Sequence, residues 1–290
     1  MSLAAVLYFE FVGMYILLLW AVYLPFRGGQ LYNGPFFCMA IGAYIAAYTA
    51  KVLHWPTGLS LFVALISGAG VGFLLSLAFS QTTGLVTATA SLALIFVIQA
   101  VIRNIEFLGG PNGMWNIPKM PYLPVVIWVG VLLVGGLIYR IDRSRIGRAL
   151  EAMRTDPALA GSLGVNSRWL SVFVMTVSSA IGSLSGVFCA FAINAVTVDT
   201  FGFTLLLSTM AMLFIGGRYT MWGVVISVPV LWGIPQVAPP WLAPYMNIIY
   251  GALLVAVLAV RPEGIVSREM TQNLKNRVGN LLRRINRIPG

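Results

Sequence analysis

Apolar residues in this chain come in long unbroken blocks, separated by short clusters of glycine, proline, asparagine and charge. A hydrocarbon core ~30 Å thick needs roughly 20 apolar residues per helix, which is the scale of these blocks. They do not alternate apolar and polar residues with period two, so the pattern predicts helices and argues against a lipid-embedded barrel. Reading the blocks against the turn residues predicts about nine spans, at residues 4–26, 31–50, 58–80, 84–103, 122–139, 169–194, 202–217, 222–237 and 243–260. The expected fold is an all-α, polytopic transmembrane helical bundle over residues 1–260, followed by a tail over 261–290.

Small residues mark where helices should touch. Gly68 and Gly72 in the third expected span, and Gly182 and Gly186 in the sixth, are four apart and share a helix face. In lipid, such faces let backbones approach closely. They predict a compact bundle and carry no information about substrate.

Composition agrees with the pattern. Of 290 residues, 59% are hydrophobic and only 9% charged, against about 25% charged in soluble domains. The net charge of +10 does not point to nucleic acid, because 13 of the 18 Lys and Arg fall within residues 140–168 and 261–290, each directly after an apolar block. Placing both segments in the cytoplasm puts the C-terminus inside and the N-terminus outside. Arg27 and Arg218 then lie inside, whereas Lys51, Arg103 and Lys119 fall on the outer face. No Lys or Arg precedes Arg27, so a removable signal peptide is not expected. Cys38 and Cys189 lie inside apolar blocks and read as small core residues.

Two segments outside the spans have patterns of their own. The outer loop 104–121 is rich in Gly, Pro and Asn and contains Trp115; it reads as an ordered surface loop, or as one that rests on the membrane or meets a partner. In the tail, Met270, Leu274, Val278, Leu281, Leu282, Ile285 and Ile288 alternate with Lys275, Arg277, Arg283, Arg284 and Arg287. That spacing predicts a basic amphipathic helix on the anionic inner leaflet, or a docking helix for another subunit.

The inner loop 140–168 is too polar to span and too patterned to be loose. Residues 148–154 are good helix formers, Asp156 suits an N-cap with Pro157 at the first helical position, and Gly164 suits the left-handed residue after a helix end. Two short helices are therefore expected across the cytoplasmic face. A structured loop of this kind suits a bundle that receives force from a soluble partner, or is simply an ordered connection.

Within that loop Gly147-Arg148-Ala149, Ala152-Met153-Arg154, Ala160 and Leu163-Gly164-Val165-Asn166 resemble the coupling segment of branched-chain amino acid ABC permeases. Other motifs follow the family's order: Gly29-Gln30-Leu31 with Gly34, Phe36-Phe37 and Gly42-Ala43-Tyr44; Gly109-Gly110 with Gly113 and Ile117-Pro118; Asp199 with Gly202; Gly216-Gly217 with Trp222-Gly223; and Arg261-Pro262 with Gly264. The resemblance covers roughly residues 25–266 and is nearer the M-type permease than its H-type companion. Tyr32-Asn33-Gly34-Pro35 stands where the family usually reads Ser-Leu-Gly-His, and Arg218-Tyr219-Thr220-Met221 replaces a Gly-containing link.

The resemblance implies a multi-pass protein of the bacterial inner (plasma) membrane that works as the permease of an importer. It pairs with a second permease of H-type, two cytoplasmic ATPase subunits and a periplasmic binding protein that delivers an amino acid, amide or related acid. It also implies that Gly147, Arg148, Glu151, Arg154, Asp156, Pro157, Gly164 and Asn166 form the ATPase-coupling loop. The chain contains no G-x-x-x-x-G-K-[ST] phosphate loop, so ATP and Mg are expected on the partner subunits, with no cofactor, metal or catalytic residue here.

Two other classes compete. A self-contained secondary transporter or channel needs ionisable groups deep in the membrane, and Glu10 is the one acidic residue inside an apolar block. A membrane serine protease built on Ser185-Gly186 needs a base within hydrogen-bond reach, yet the single histidine, His54, falls in an expected outer loop.

Overall fold

The computed structural model describes residues 3–82, 84–217 and 220–237, with isolated positions between 245 and 256. Five long helices open the chain: α1 (Leu3–Arg27), α2 (Gly34–Lys51), α3 (Thr57–Phe79), α4 (Gly84–Arg103) and α5 (Leu123–Arg143). Two short helices follow, α6 (Arg145–Thr155) and α7 (Pro157–Ser162), and then α8 (Ser167–Ile193), α9 (Phe203–Gly216) and α10 (Met221–Val237). A two-residue strand in the 104–122 loop, β1 (Met114–Trp115), pairs antiparallel with β2 (Ala195–Val196), just after α8.

Eight of the expected apolar segments thus coincide with helices to within a few residues. The ninth, 243–260, falls mostly outside the described residues, and the tail 261–290 falls wholly outside them. Among the described residues, six helical segments are long and apolar enough to cross a membrane, which makes this a multi-pass helical membrane protein.

The helices divide into a buried set and a peripheral set. In α1, Leu17, Leu18, Leu19, Val22 and Tyr23 are all buried, so the C-terminal half of the helix is apolar and covered on every side. α8 is the hub and packs on α1, α2 and α3. By contrast, α3, α4 and α5 bury one narrow stripe each and turn Phe62, Ile66, Leu85, Val97, Leu132 and Leu133 outward.

The predicted glycine faces explain the tight centre. A Cβ at Gly68 or Gly72 would overlap Ser183 or Ser179 of α8, while one at Gly182 or Gly186 would meet the backbone of Pro35 or Met39 in α2. Hydroxyls complete these contacts. Ser178 donates to the Ala21 carbonyl at 2.7 Å, Ser183 to Ala64 at 2.7 Å and Ser185 to Met14 at 3.0 Å, so α8 is stitched to α1 and α3 by bonds made without water. Each such bond between membrane helices contributes roughly 0.6–2 kcal/mol.

Candidate coupling surface

The basic loop sits at the end of the bundle where α1, α5 and α9 finish and α2, α8 and α10 begin. Its first helix is better defined than the sequence pattern required. Ser144 caps α6, its side chain accepting from the Ile146 amide at 3.1 Å, so the helix starts three residues before the expected stretch. Asp156 is extended and its Oδ1 accepts from the Ala158 amide at 2.9 Å, which starts α7 at Pro157. Gly164 has φ +82, with its amide and that of Val165 bonded back to Gly161 and Ala160. Asn166 then caps α8 by accepting from the Trp169 amide at 3.2 Å.

One face of this helix pair is anchored. Leu150, Met153 and Ala160 pack with Leu24, Ile141 and Val174 in a small hydrophobic core separate from that of the main bundle. Fully burying a Leu or Met side chain contributes about 1.5–3 kcal/mol each. The turn after α1 is shaped to receive α6: Gly28 leaves room for Leu150 and Met153, and Gly29, at φ +77, lies against Arg154. Gly147 sits so close to the Ile141 and Asp142 carbonyls that a Cβ would be forced within 2.5 Å of oxygen.

Ionic contacts fix the same corner. Arg27 lies 3.1 Å from Asp142 and 3.8 Å from Glu151. The Tyr23 hydroxyl donates to the other Asp142 oxygen at 2.9 Å. Arg27 and Asp142 are only 12% and 17% exposed, so this pair is less screened than a surface ion pair.

From this corner a polar seam runs into the bundle. Gln30 donates to the Ser171 hydroxyl on α8. The Tyr32 hydroxyl and Ser179 share a hydrogen bond of 3.0 Å, and the Asn33 amide donates to the Ser91 hydroxyl on α4 at 3.0 Å. The Tyr32 ring fills the space a Cβ at Gly34 would need, so Tyr32-Asn33-Gly34 acts as one packed unit joining α2, α4 and α8.

The opposite face of the helix pair is exposed. Arg145, Arg148, Asp156, Pro157 and Gly164 face outward, and Leu163 at the tip is 71% exposed. The loop therefore offers basic and apolar side chains on a platform fixed from behind. Sequence reasoning placed the loop but missed Tyr23, Arg27, Gly28, Gln30 and Asp142, which hold it. Only Gly28-Gly29 was a readable signal, since a glycine pair after a helix marks a turn.

The other end of the bundle is closed by the β1–β2 pairing and by Arg103, which reaches Asp199 at 2.8 Å in an exposed ion pair. The serine-protease alternative finds no support in the geometry, because the Ser185 hydroxyl donates to the Met14 carbonyl and His54 is exposed in the α2–α3 connection. Among the described residues, no group of three or more His, Cys, Asp or Glu gathers as a metal site.

Comparison with known protein families decides what kind of protein carries this surface. Residues 34–258 match the family described as branched-chain amino acid transport system / permease component. The chain belongs to that family. Among curated relatives, the high-affinity branched-chain amino acid transport system permease protein LivM of Escherichia coli K12 is 25% identical over 271 residues, covering 80% of this chain and 64% of LivM. The corresponding LivH permease of the same organism is 27% identical over 208 residues, covering 71% of this chain and 64% of LivH. A probable LivM permease of Methanocaldococcus jannaschii is 24% identical over 255 residues, covering 75% of this chain and 72% of the relative. The chain thus spans slightly less than two thirds of the length of E. coli LivM. No solved structure matches it. Within this permease family, the M-type resemblance is matched by LivM-named relatives in both bacteria and an archaeon.

Proposed function

We infer that this chain is a membrane-spanning permease subunit of an ABC importer of the branched-chain amino acid type, in the inner membrane with its C-terminus cytoplasmic and about nine spans. A periplasmic binding protein delivers a small solute to it. A second permease, of H-type, completes the pathway, and two ATPase subunits carry ATP and Mg. The solute is an amino acid, amide or related acid.

The observation that carries this reading is the α6–α7 platform. It is braced against α1, α5 and α8 on one side and presents Arg148 and Leu163 on the other. A displacement of the pair reaches α1 through the Glu151–Arg27 contact, and α8 through Met153 and the Ser171 hydroxyl, to which Gln30 at the entry to α2 also bonds. ATP-driven closure of subunits docked here would then favour one of two packings of the bundle, which is what coupling requires.

The test uses Leu163→Asp, Arg154→Glu and Gly164→Val in the assembled transporter. Leu163 is exposed, so Leu163→Asp leaves the bundle intact while removing the apolar knob. The expected result is normal membrane insertion, loss of ATPase subunits on mild-detergent purification and uptake reduced at least tenfold. In Gly164→Val and Arg154→Glu, uptake falls relative to ATP hydrolysis. Wild-type uptake in all three variants removes the platform from the mechanism.

A further inference from the structure

At the opposite end of the molecule, a cleft of about 220 Å³ opens between the second turn of α1, the start of α5 and the end of α8. Glu10, Lys119 and Asn194 line it together with Tyr122. Glu10 is only 6% exposed, and among the described residues no cation or donor is paired with it. Asn194, the left-handed residue that ends α8, has a buried side-chain oxygen without a hydrogen-bond partner. A carboxyl group and an amide oxygen without partners thus sit in one cleft, whose donors, Lys119 and Tyr122, are held at its exposed rim. Polar groups left in that state are costly, and in a membrane a buried carboxyl group is retained for a use.

The cleft does not end there. It continues along the bundle as a groove of about 540 Å³ between α1 and α5, lined by Val6, Phe9, Pro124, Trp128, Val129 and Leu132. Val6 and Pro124 line both spaces, so the polar cleft and the apolar groove form one continuous depression. Trp128 near the junction has the amphipathic ring that favours the headgroup level of a bilayer. Lys119, exposed at the rim, adds a positive charge beside the buried acceptors.

We propose that this depression binds one phosphatidylethanolamine molecule, with an acyl chain in the α1–α5 groove, the ammonium group on Glu10 and the Asn194 side-chain oxygen, and the phosphate towards Lys119. The order of chemistry selects this lipid. Its ammonium carries three N–H donors for the two unpartnered acceptors, and its phosphate, a short linker away, meets the Lys119 that lines the same cleft. Phosphatidylglycerol offers no cation to Glu10, and a choline headgroup has no N–H to donate. A free amino acid shares the ammonium and the anion but leaves the groove empty, and a protein helix fills the groove without supplying an ammonium.

The experiment is native mass spectrometry of the full chain, purified with its bound subunits from nanodiscs containing equal phosphatidylethanolamine and phosphatidylglycerol. The wild type is expected to retain phosphatidylethanolamine selectively. Glu10→Gln lowers that selectivity roughly tenfold, equivalent to ~1.4 kcal/mol. Leu132→Trp, at a position 73% exposed and therefore tolerant of substitution, fills the groove and lowers retention of both lipids. Equal retention of the two lipids by the wild type, or unchanged selectivity in Glu10→Gln together with unchanged retention in Leu132→Trp, overturns the proposal. So does displacement of the bound lipid by excess free leucine. Photocrosslinking from a benzophenone attached through Val129→Cys to another protein chain, in place of lipid, assigns the groove to a subunit contact and overturns it as well.

Discussion

At the level of single residues, this bundle is governed by what fits between helices without water. Gly68 and Ser183 illustrate the constraint, because α3 approaches α8 so closely that the serine occupies the volume a Cβ at position 68 would need. Gly68→Ala therefore overpacks the contact and is expected to cost about 1–3 kcal/mol. The same change in a Ser183→Gly background should cost far less, because the clashing side chain is gone. Heating the detergent-solubilised variants and following the monodisperse fraction measures the cycle, and equal losses in the two backgrounds contradict the packing seen here. Ser183 also donates to Ala64, so Ser183→Gly alone loses one interhelical hydrogen bond.

At the level of elements, the question is what holds α6 and α7 in place. The hydrophobic cluster around Leu150 seats α6, and Arg27, which pairs with Asp142 of α5, also reaches Glu151 of α6. Arg27→Met removes the guanidinium 3.1 Å from the Asp142 carboxylate, which is 17% exposed. Removing one partner of a fully buried pair costs ~3 kcal/mol or more; here the pair is partly exposed and Tyr23 still donates to Asp142, so the loss should be smaller, and Asp142→Asn added to Arg27→Met should recover a large part of it. The loss is expected to be local: protease cleavage between residues 155 and 165 speeds up while the spans stay protected. Protection unchanged in Arg27→Met shows that the cluster alone seats the helix pair. Leu150→Ala provides the complementary test, since deleting a fully buried leucine costs about 2–5 kcal/mol.

At the level of the whole molecule, two ends of one bundle differ in construction. One end carries the braced helix pair with its basic face; the other is closed by two short strands and an exposed ion pair. An exposed pair such as Arg103–Asp199, with side chains 52% and 83% exposed, contributes about 0–1 kcal/mol, so the strand pairing is the stronger tie. Met114 and Val196 are cross-strand partners, and such partners lie within the ~4.4–6.8 Å Cα separation a disulfide requires. Met114→Cys with Val196→Cys should therefore crosslink on mild oxidation, while native Cys38 and Cys189 stay buried and reduced. If this end must open during transport, the oxidised protein loses uptake and a reductant restores it. Full uptake by the crosslinked protein places the moving gate elsewhere.

The apolar blocks determined the helices, since their length and continuity are dictated by the bilayer and by the need to bond every amide internally. The caps at Asp156 and the turn at Gly164 were equally legible, because both are local chemistry. The small-residue stripe of α3 was legible too, but a helix such as α5 gave no sign of which face turns inward. In lipid, core-facing and lipid-facing residues are both apolar, so its buried Ile127, Val131 and Ile138 look no different in sequence from its outward Leu132 and Leu133. Ser178, Ser183 and Ser185 read as one serine-rich stretch, and only the tertiary structure divided them between α1 and α3. Arg27 and Asp142, 115 residues apart, gave no sign of being partners. Their meeting depends on α1 and α5 ending together at one end of the bundle, which is a property of helix packing rather than of any local pattern.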